Sequence, residues 1–151
     1  MTQRATLPKA DPHSATGLFS RTRARSRALA APLAAEDMML QSMTDASPAK
    51  WHLAHTTWFF EQFLLGEPCE GYRPFHPDYA FLFNSYYVSA GPPHARHQRG
   101  HLTRLGAEEI AAYRRHVDAA VVKFFQSAGE EVLTGLAPLV EVRRSRASRS
   151  R

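Results

Sequence analysis

Apolar positions change their spacing several times along the chain, and each change marks an element. In "TGLFSRTRARSRALAAPL", Leu18, Arg25 and Leu29 share a rough helical face. Pro32 closes that helix, because proline brings no amide hydrogen and its ring clashes with the preceding turn. "AAEDMMLQSM" predicts a second, short helix with Glu36 and Asp37 in its first turn, where the helix dipole favours acids. Ser47-Pro48 then opens the strongest helical segment, with serine as the cap and proline at the first helical position. That helix is predicted to run to Leu65 and to stop at Gly66, with Pro68 just beyond. Trp51, His55, Trp58, Gln62 and Leu65 form one stripe, and Leu53, Thr57, Phe60 and Leu64 a neighbouring one. Apolar groups therefore cover most of its circumference, which predicts a central helix.

The pattern then breaks. "GEPCEGYRPFHP" reads as a loop from its glycines and prolines. "DYAFLFNSYYVSAG" lacks alternation and ends at Gly91-Pro92, so a helix is expected there in preference to a strand. "GPPHARHQRGHLTRLG" is a long polar loop with three histidines and three arginines. "AEEIAAYRRHVDAAVVKFFQSA" is the clearest helix, with Ile110, Tyr113, Val117, Val121 and Phe124 on its core stripe and Gly129 at its end. "EEVLTGLAPLVEV" starts another helix and passes abruptly into "RRSRASRSR". The prediction is an all-α protein, a bundle of four or more helices, with a disordered lead-in at residues 1–15 and an Arg/Ser-rich tail at 143–151.

A composition of 44% apolar residues is enough for a core. Apolar runs are too short and interrupted to span a bilayer, and no secretory signal is visible, so a cytoplasmic protein is expected. The single cysteine, Cys69, excludes an internal disulfide. The net charge of +5 splits unevenly: residues 1–30 carry net +5, residues 31–142 net −5, and residues 143–151 net +5. Because the basic charge sits at the ends, with no groove-reading motif beside it, nucleic acid is not the expected partner.

The chemistry-bearing residues are histidines. His52 and His55, three apart, project about 60° apart on one side of the central helix. That spacing is compatible with both on one metal, or with one inward and one at the edge. Zinc or iron needs at least three ligands, so others must come from elsewhere. His94, His97 and His101 lie in the polar loop, where a solvated surface is the plain reading. His116 is offset from its helix's apolar stripe and reads as exposed. Arg96 and Arg99 have the fork geometry to clamp a carboxylate, and by composition alone serve equally as surface charge.

Three blocks carry a resemblance. "LAAPLAAEDMMLQSMTDASPAKWHLAHTTWFFEQFLL", "YRPFHPDYAFLFNSYYVSAGPPHARHQRGHLTR" and "EEIAAYRRHVDAA", in that order and spacing, resemble the N-terminal DinB-like domain of the ergothioneine-biosynthesis sulfoxide synthases, the hercynine oxygenases. The resemblance runs from about residue 18 to about residue 141 and places a DinB-like helical domain at 16–142. It implies a four-helix bundle and a mononuclear non-haem Fe(II) held by three histidines. Such enzymes use dioxygen to join a cysteine-type thiol to hercynine as a sulfoxide. The position matching the first iron ligand is His55, with His52 flanking it. Arg96 and Arg99 match the arginine pair that binds the thiol substrate's carboxylates.

The resemblance fails after Glu141. There the family continues into a helix bearing a histidine pair four apart, whereas this chain reads "VRRSRASRSR". What the resemblance then implies is a truncated or frameshifted relative with its last helix missing or incomplete. Two of three expected iron ligands are lacking, so Fe(II) is not held firmly and the chain is expected to be inactive. Two other readings stand beside it. One is a stand-alone DinB-like metalloprotein or thiol-dependent transferase, taking His55 with two histidines between His94 and His116. The other is a non-enzymatic helical module that associates, with itself or a partner, through an uncovered apolar face.

Overall fold

A computed structural model describes residues 14–66, 69, 71–129, 132, 133 and 135. Helices and turns account for all its regular structure, and no strand occurs among the described residues. No helix among them is long and apolar enough to cross a membrane. Among the described residues the α-helices, in order, are α1 (Ala15–Ala30), α2 (Ala35–Met39), α3 (Ala49–Phe60), α4 (Tyr79–Leu82) and α5 (Ala107–Ser127). The chain divides into two compact units, one from its two ends (Met1–Arg25 with Phe125–Arg151) and one from Ser26–Phe124. Most of the lead-in, most of the helix expected from Glu130 and the whole Arg/Ser tail lie outside the described residues. Ser14 and Ala15 do not belong to a disordered lead-in: the Ser14 hydroxyl accepts the Gly17 amide at 3.1 Å, capping α1.

In the end unit, α1 turns Gly17, Phe19 and Arg23 inward. The Phe19 ring meets Phe125 edge-on at 6.0 Å, and the Arg23 guanidinium lies 5.7 Å from the Phe19 ring centre. This corrects the face expected at Leu18, Arg25 and Leu29, since Arg25 is exposed and Leu29 is 72% exposed. The i to i+4 row from Phe19 to Arg23 wins because it offers an aromatic ring with a guanidinium over it.

The core of the larger unit is built on α3, as expected of a helix apolar almost all round. Trp51, Trp58, Phe59 and Phe60 are buried, together with Tyr79, Phe83, Ile110, Tyr113, Val117 and Val121. The start of α3 is shifted by one residue from the prediction. Pro48 is the cap position, and Ser47 makes no capping bond; its hydroxyl instead accepts from Arg99 at 2.8 Å. The far end changes pitch: Glu61–Leu65 continue as a π-helical turn before Gly66.

The expected helix across 79–90 reduces to α4 and a three-residue 3-10 turn, Val88–Ala90. Asn84 explains the break. Its buried side-chain amide donates to the Tyr87 and Gly91 carbonyls at 3.1 and 3.0 Å, and its Oδ1 accepts the Tyr87 amide at 3.1 Å. Such local bonding offers the backbone an alternative to helix. Gly91 follows at φ +102°, a conformation that side-chain-bearing residues rarely adopt. Within the polar loop, Arg96–His101 form a 3-10 helix. On α5 the stripe is Ile110, Tyr113, Val117, Val121 and Phe125; Phe124 is only half-buried, a correction of one position. Steps of four residues, from 113 through 117 and 121 to 125, carry the row past Phe124.

Candidate functional site

His55 sits inside α3 at 8% exposure, between two tryptophans of its own helix. Trp51, four residues before, stacks on the imidazole at 4.8 Å and 11°, and Trp58, three after, at 5.4 Å and 19°. Helical spacing produces this directly, since residues three and four apart are neighbours on one face. Both indoles are themselves fixed from α4: Trp51 Nε1–H donates to the Leu82 carbonyl at 3.1 Å and Trp58 Nε1–H to the Ala80 carbonyl at 3.0 Å. The His55 Nδ1 lies 2.7 Å from the Phe83 carbonyl. A carbonyl only accepts, so Nδ1 carries the hydrogen and the neutral ring keeps its lone pair on Nε2. That is the arrangement by which a second neighbour orients a ligating histidine.

Arg99 completes this edge of the helix. Its guanidinium carbon lies 3.5 Å from the Trp51 ring centre. Nη1 donates to Ser47 Oγ, and Nη2 to the His94 carbonyl at 3.4 Å. The side chain is 3% exposed, and its Nε has no hydrogen-bond partner. Burial, and then the charge of Arg96, push it down to about 10, so it stays cationic at neutral pH. Arg96 is exposed. His52 is also exposed, with its edge toward Trp51. Loss of surrounding water lowers its pKa first, followed by the charges of Arg99 and Arg96. Arg96, Arg99 and His52 are thus within electrical reach of one another, but Arg99 is committed to Trp51, Ser47 and its own loop.

That loop is held by residues the sequence reading passed over. Gln41 Nε2 donates to the carbonyls of Ala46 and Arg96, both at 2.8 Å, and its Oε1 accepts the Gly100 amide at 2.8 Å. A Cβ on Gly100 would meet that Oε1 at 2.7 Å, so only glycine lets the amide approach so closely. Lys50 is buried, with Nζ donating to the carbonyls of Leu102 and Leu105, and burial lowers its pKa. Arg114 is buried as well. Its Nη1 donates to the Leu53 carbonyl at 2.9 Å and Nη2 to Ser26 Oγ at 2.8 Å. Glu61, at 2% exposure in the π-helical turn, accepts from Tyr113 and Tyr72 hydroxyls at 2.5 and 2.7 Å and from the Phe75 amide at 3.1 Å. A polar residue at an apolar helical position was the only signal for Lys50 and Glu61, and it does not identify a partner.

Among the described residues, no three His, Cys, Asp or Glu side chains come together in a group able to hold a metal. His116 is exposed and faces the Arg73 carbonyl at 3.1 Å, while His97 and His101 are exposed. His94 is buried against the Phe81 ring, which corrects its expected place on a solvated loop. Cys69 is a half-buried free thiol. The described residues therefore offer a prepared imidazole at His55 without a complete ligand set around it. None of the curated proteins matches this chain. A family model described as the DinB superfamily matches residues 18–144.

Proposed function

The chain belongs to the DinB superfamily, and from that membership we propose that it is a DinB-like domain of the sulfoxide-synthase type, lending His55 to a non-haem iron site that it does not complete alone. The observation that carries this reading is the His55 ring, clamped between Trp51 and Trp58 with Nδ1–H on the Phe83 carbonyl. Such a clamp fixes which nitrogen carries the lone pair, as a ligating histidine requires. One imidazole does not hold Fe(II), and among the described residues the donor groups stop short of a coordination set. The remaining ligands would have to come from outside the described residues or from another chain. In the resembled enzymes the iron supports the joining of a thiol to hercynine. On this reading Arg96, exposed beside His52, meets a thiol substrate's carboxylate. Arg99 is the positioning residue that holds Arg96's loop against α3.

The test uses the full chain. Co(II), a spectroscopic stand-in for Fe(II), is titrated against the parent and a His55→Ala variant, and product is sought from hercynine, cysteine, Fe(II) and dioxygen. Weak metal uptake that disappears in His55→Ala, with no sulfoxide formed by the parent, is the expected result. Turnover by this chain alone, or metal binding that survives His55→Ala, would overturn the reading.

A further inference from the structure

From Tyr79 to Ala107 the sequence places His94, Arg96, His97, Arg99, His101 and Arg104, and no carboxylate at all. This segment packs its one buried imidazole, His94, next to its one buried guanidinium, Arg99. The His94 amide donates to the Asn84 carbonyl at 3.1 Å, its own carbonyl accepts from Arg99 Nη2, and its ring stands edge-on to Phe81 at 5.5 Å. The buried Nδ1 has no hydrogen-bond partner. A proton on this ring would create a second buried cation with nothing anionic to meet it, which is a large penalty in a desolvated site.

We propose that residues 91–105 form a proton-operated latch on the start of α3: with His94 uncharged, Arg99 is seated on Trp51, and protonation of His94 releases the segment. Every group acting on His94 opposes its charging. From its own segment these are Arg99, His101 and His97. From the α4 side it meets the Phe81 ring and the Asn84 carbonyl, neither of which titrates. Beyond Arg99, α3 presents Lys50 and His52, and the stretch leading into α3 holds a single acid, the exposed Asp45. Burial first, then Arg99, His101 and His97, lower the His94 pKa from the ordinary histidine value. The tethers of the segment respond unequally. The Gln41 bonds to Arg96 and Gly100 open with the released stretch, whereas Lys50 still holds the carbonyls of Leu102 and Leu105, so release pivots about the far end of the segment. Opening lifts the guanidinium off Trp51 and exposes to water the indole that stacks on His55.

The latch goes beyond the iron reading and does not depend on it. It is tested by hydrogen exchange on the full chain between pH 7.5 and 5.5, with intrinsic exchange rates divided out. Protection of residues 94–102 should fall by up to about tenfold per pH unit below the ordinary histidine pKa, as one linked proton requires, while the middle of α5 keeps its protection. His94→Gln, which cannot be protonated, should abolish the response, and His97→Gln with His101→Gln should leave it intact. Constant protection in the parent, or a response that persists in His94→Gln, would overturn the proposal. If His94→Gln fails to fold, the parent's own imidazole is titrated by nitrogen NMR. His94 is expected to stay neutral at pH 6.5, and an imidazolium at pH 7 would sink the idea.

Discussion

Arg99 illustrates how one side chain can serve several neighbours. It stacks on Trp51 and joins Ser47 to the His94 carbonyl, three tasks that need a flat, forked cation. Arg99→Lys keeps the charge and loses the stacking and the fork. It should destabilise the chain by about 1–3 kcal/mol in a urea melt, more than Arg96→Lys on the exposed neighbour. Gly100 is constrained by contact and not by backbone angle. Gly100→Ala places a methyl against Gln41 Oε1 and should lose about 1–2 kcal/mol through the displaced amide bond. A Gln41→Ala change in the same background should add less than it does alone, because the two residues share that bond, while its bonds to the Ala46 and Arg96 carbonyls are still lost. The placement of His55 between Trp51 and Trp58 was legible in the sequence for a physical reason: it falls on the tryptophan stripe. The roles of Arg99 and Gly100 were not, since the partners Ser47 and Gln41 are more than fifty residues away.

At the scale of elements, legibility followed length and punctuation. α3 and α5 repeat their apolar spacing over several turns, and α3 is bracketed by Pro48 and Gly66, so both were readable. α4 was over-extended because apolar residues continue past Leu82 while the backbone does not. Asn84 diverts it by bonding Tyr87 and Gly91 from its side chain. Asn84→Ala leaves those half-buried carbonyls and the Tyr87 amide short of partners. A loss of roughly 2–4 kcal/mol is expected from denaturant unfolding, with Asn84→Asp also damaging because a carboxylate cannot donate to the two carbonyls. The π-helical turn at Glu61–Leu65 was illegible for a similar reason. Its Glu61 is buried by distant hydroxyls of Tyr72 and Tyr113, which a local pattern cannot announce.

For the whole molecule, charge matters more in its placement than in its total. A net +5 hides a chain whose residues 31–142 are acidic while residues 79–107 hold no acid. His94 and His52 are both held below the ordinary histidine pKa. The unfolded chain therefore takes up protons that the folded chain refuses as pH falls through the ordinary histidine value. Stability should be level above about pH 7 and decline below about pH 6.5, flattening once the folded-state values are passed. Urea midpoints at pH 7.5, 6.5 and 5.5 measure this, and a midpoint that rises toward pH 5.5 would contradict the sign. The helical architecture is thus stabilised by an aromatic core whose polar attachments respond to acid, chiefly around the start of α3.

The stacking of His55 between Trp51 and Trp58 also gives the protein an optical property. The chain has only two tryptophans, and both lie against this one imidazole. All of its tryptophan emission therefore originates at the candidate site, with no distant indole to dilute it. A change in the charge of His55, a metal on it, or water reaching Trp51 would each be read from the light of the unlabelled protein.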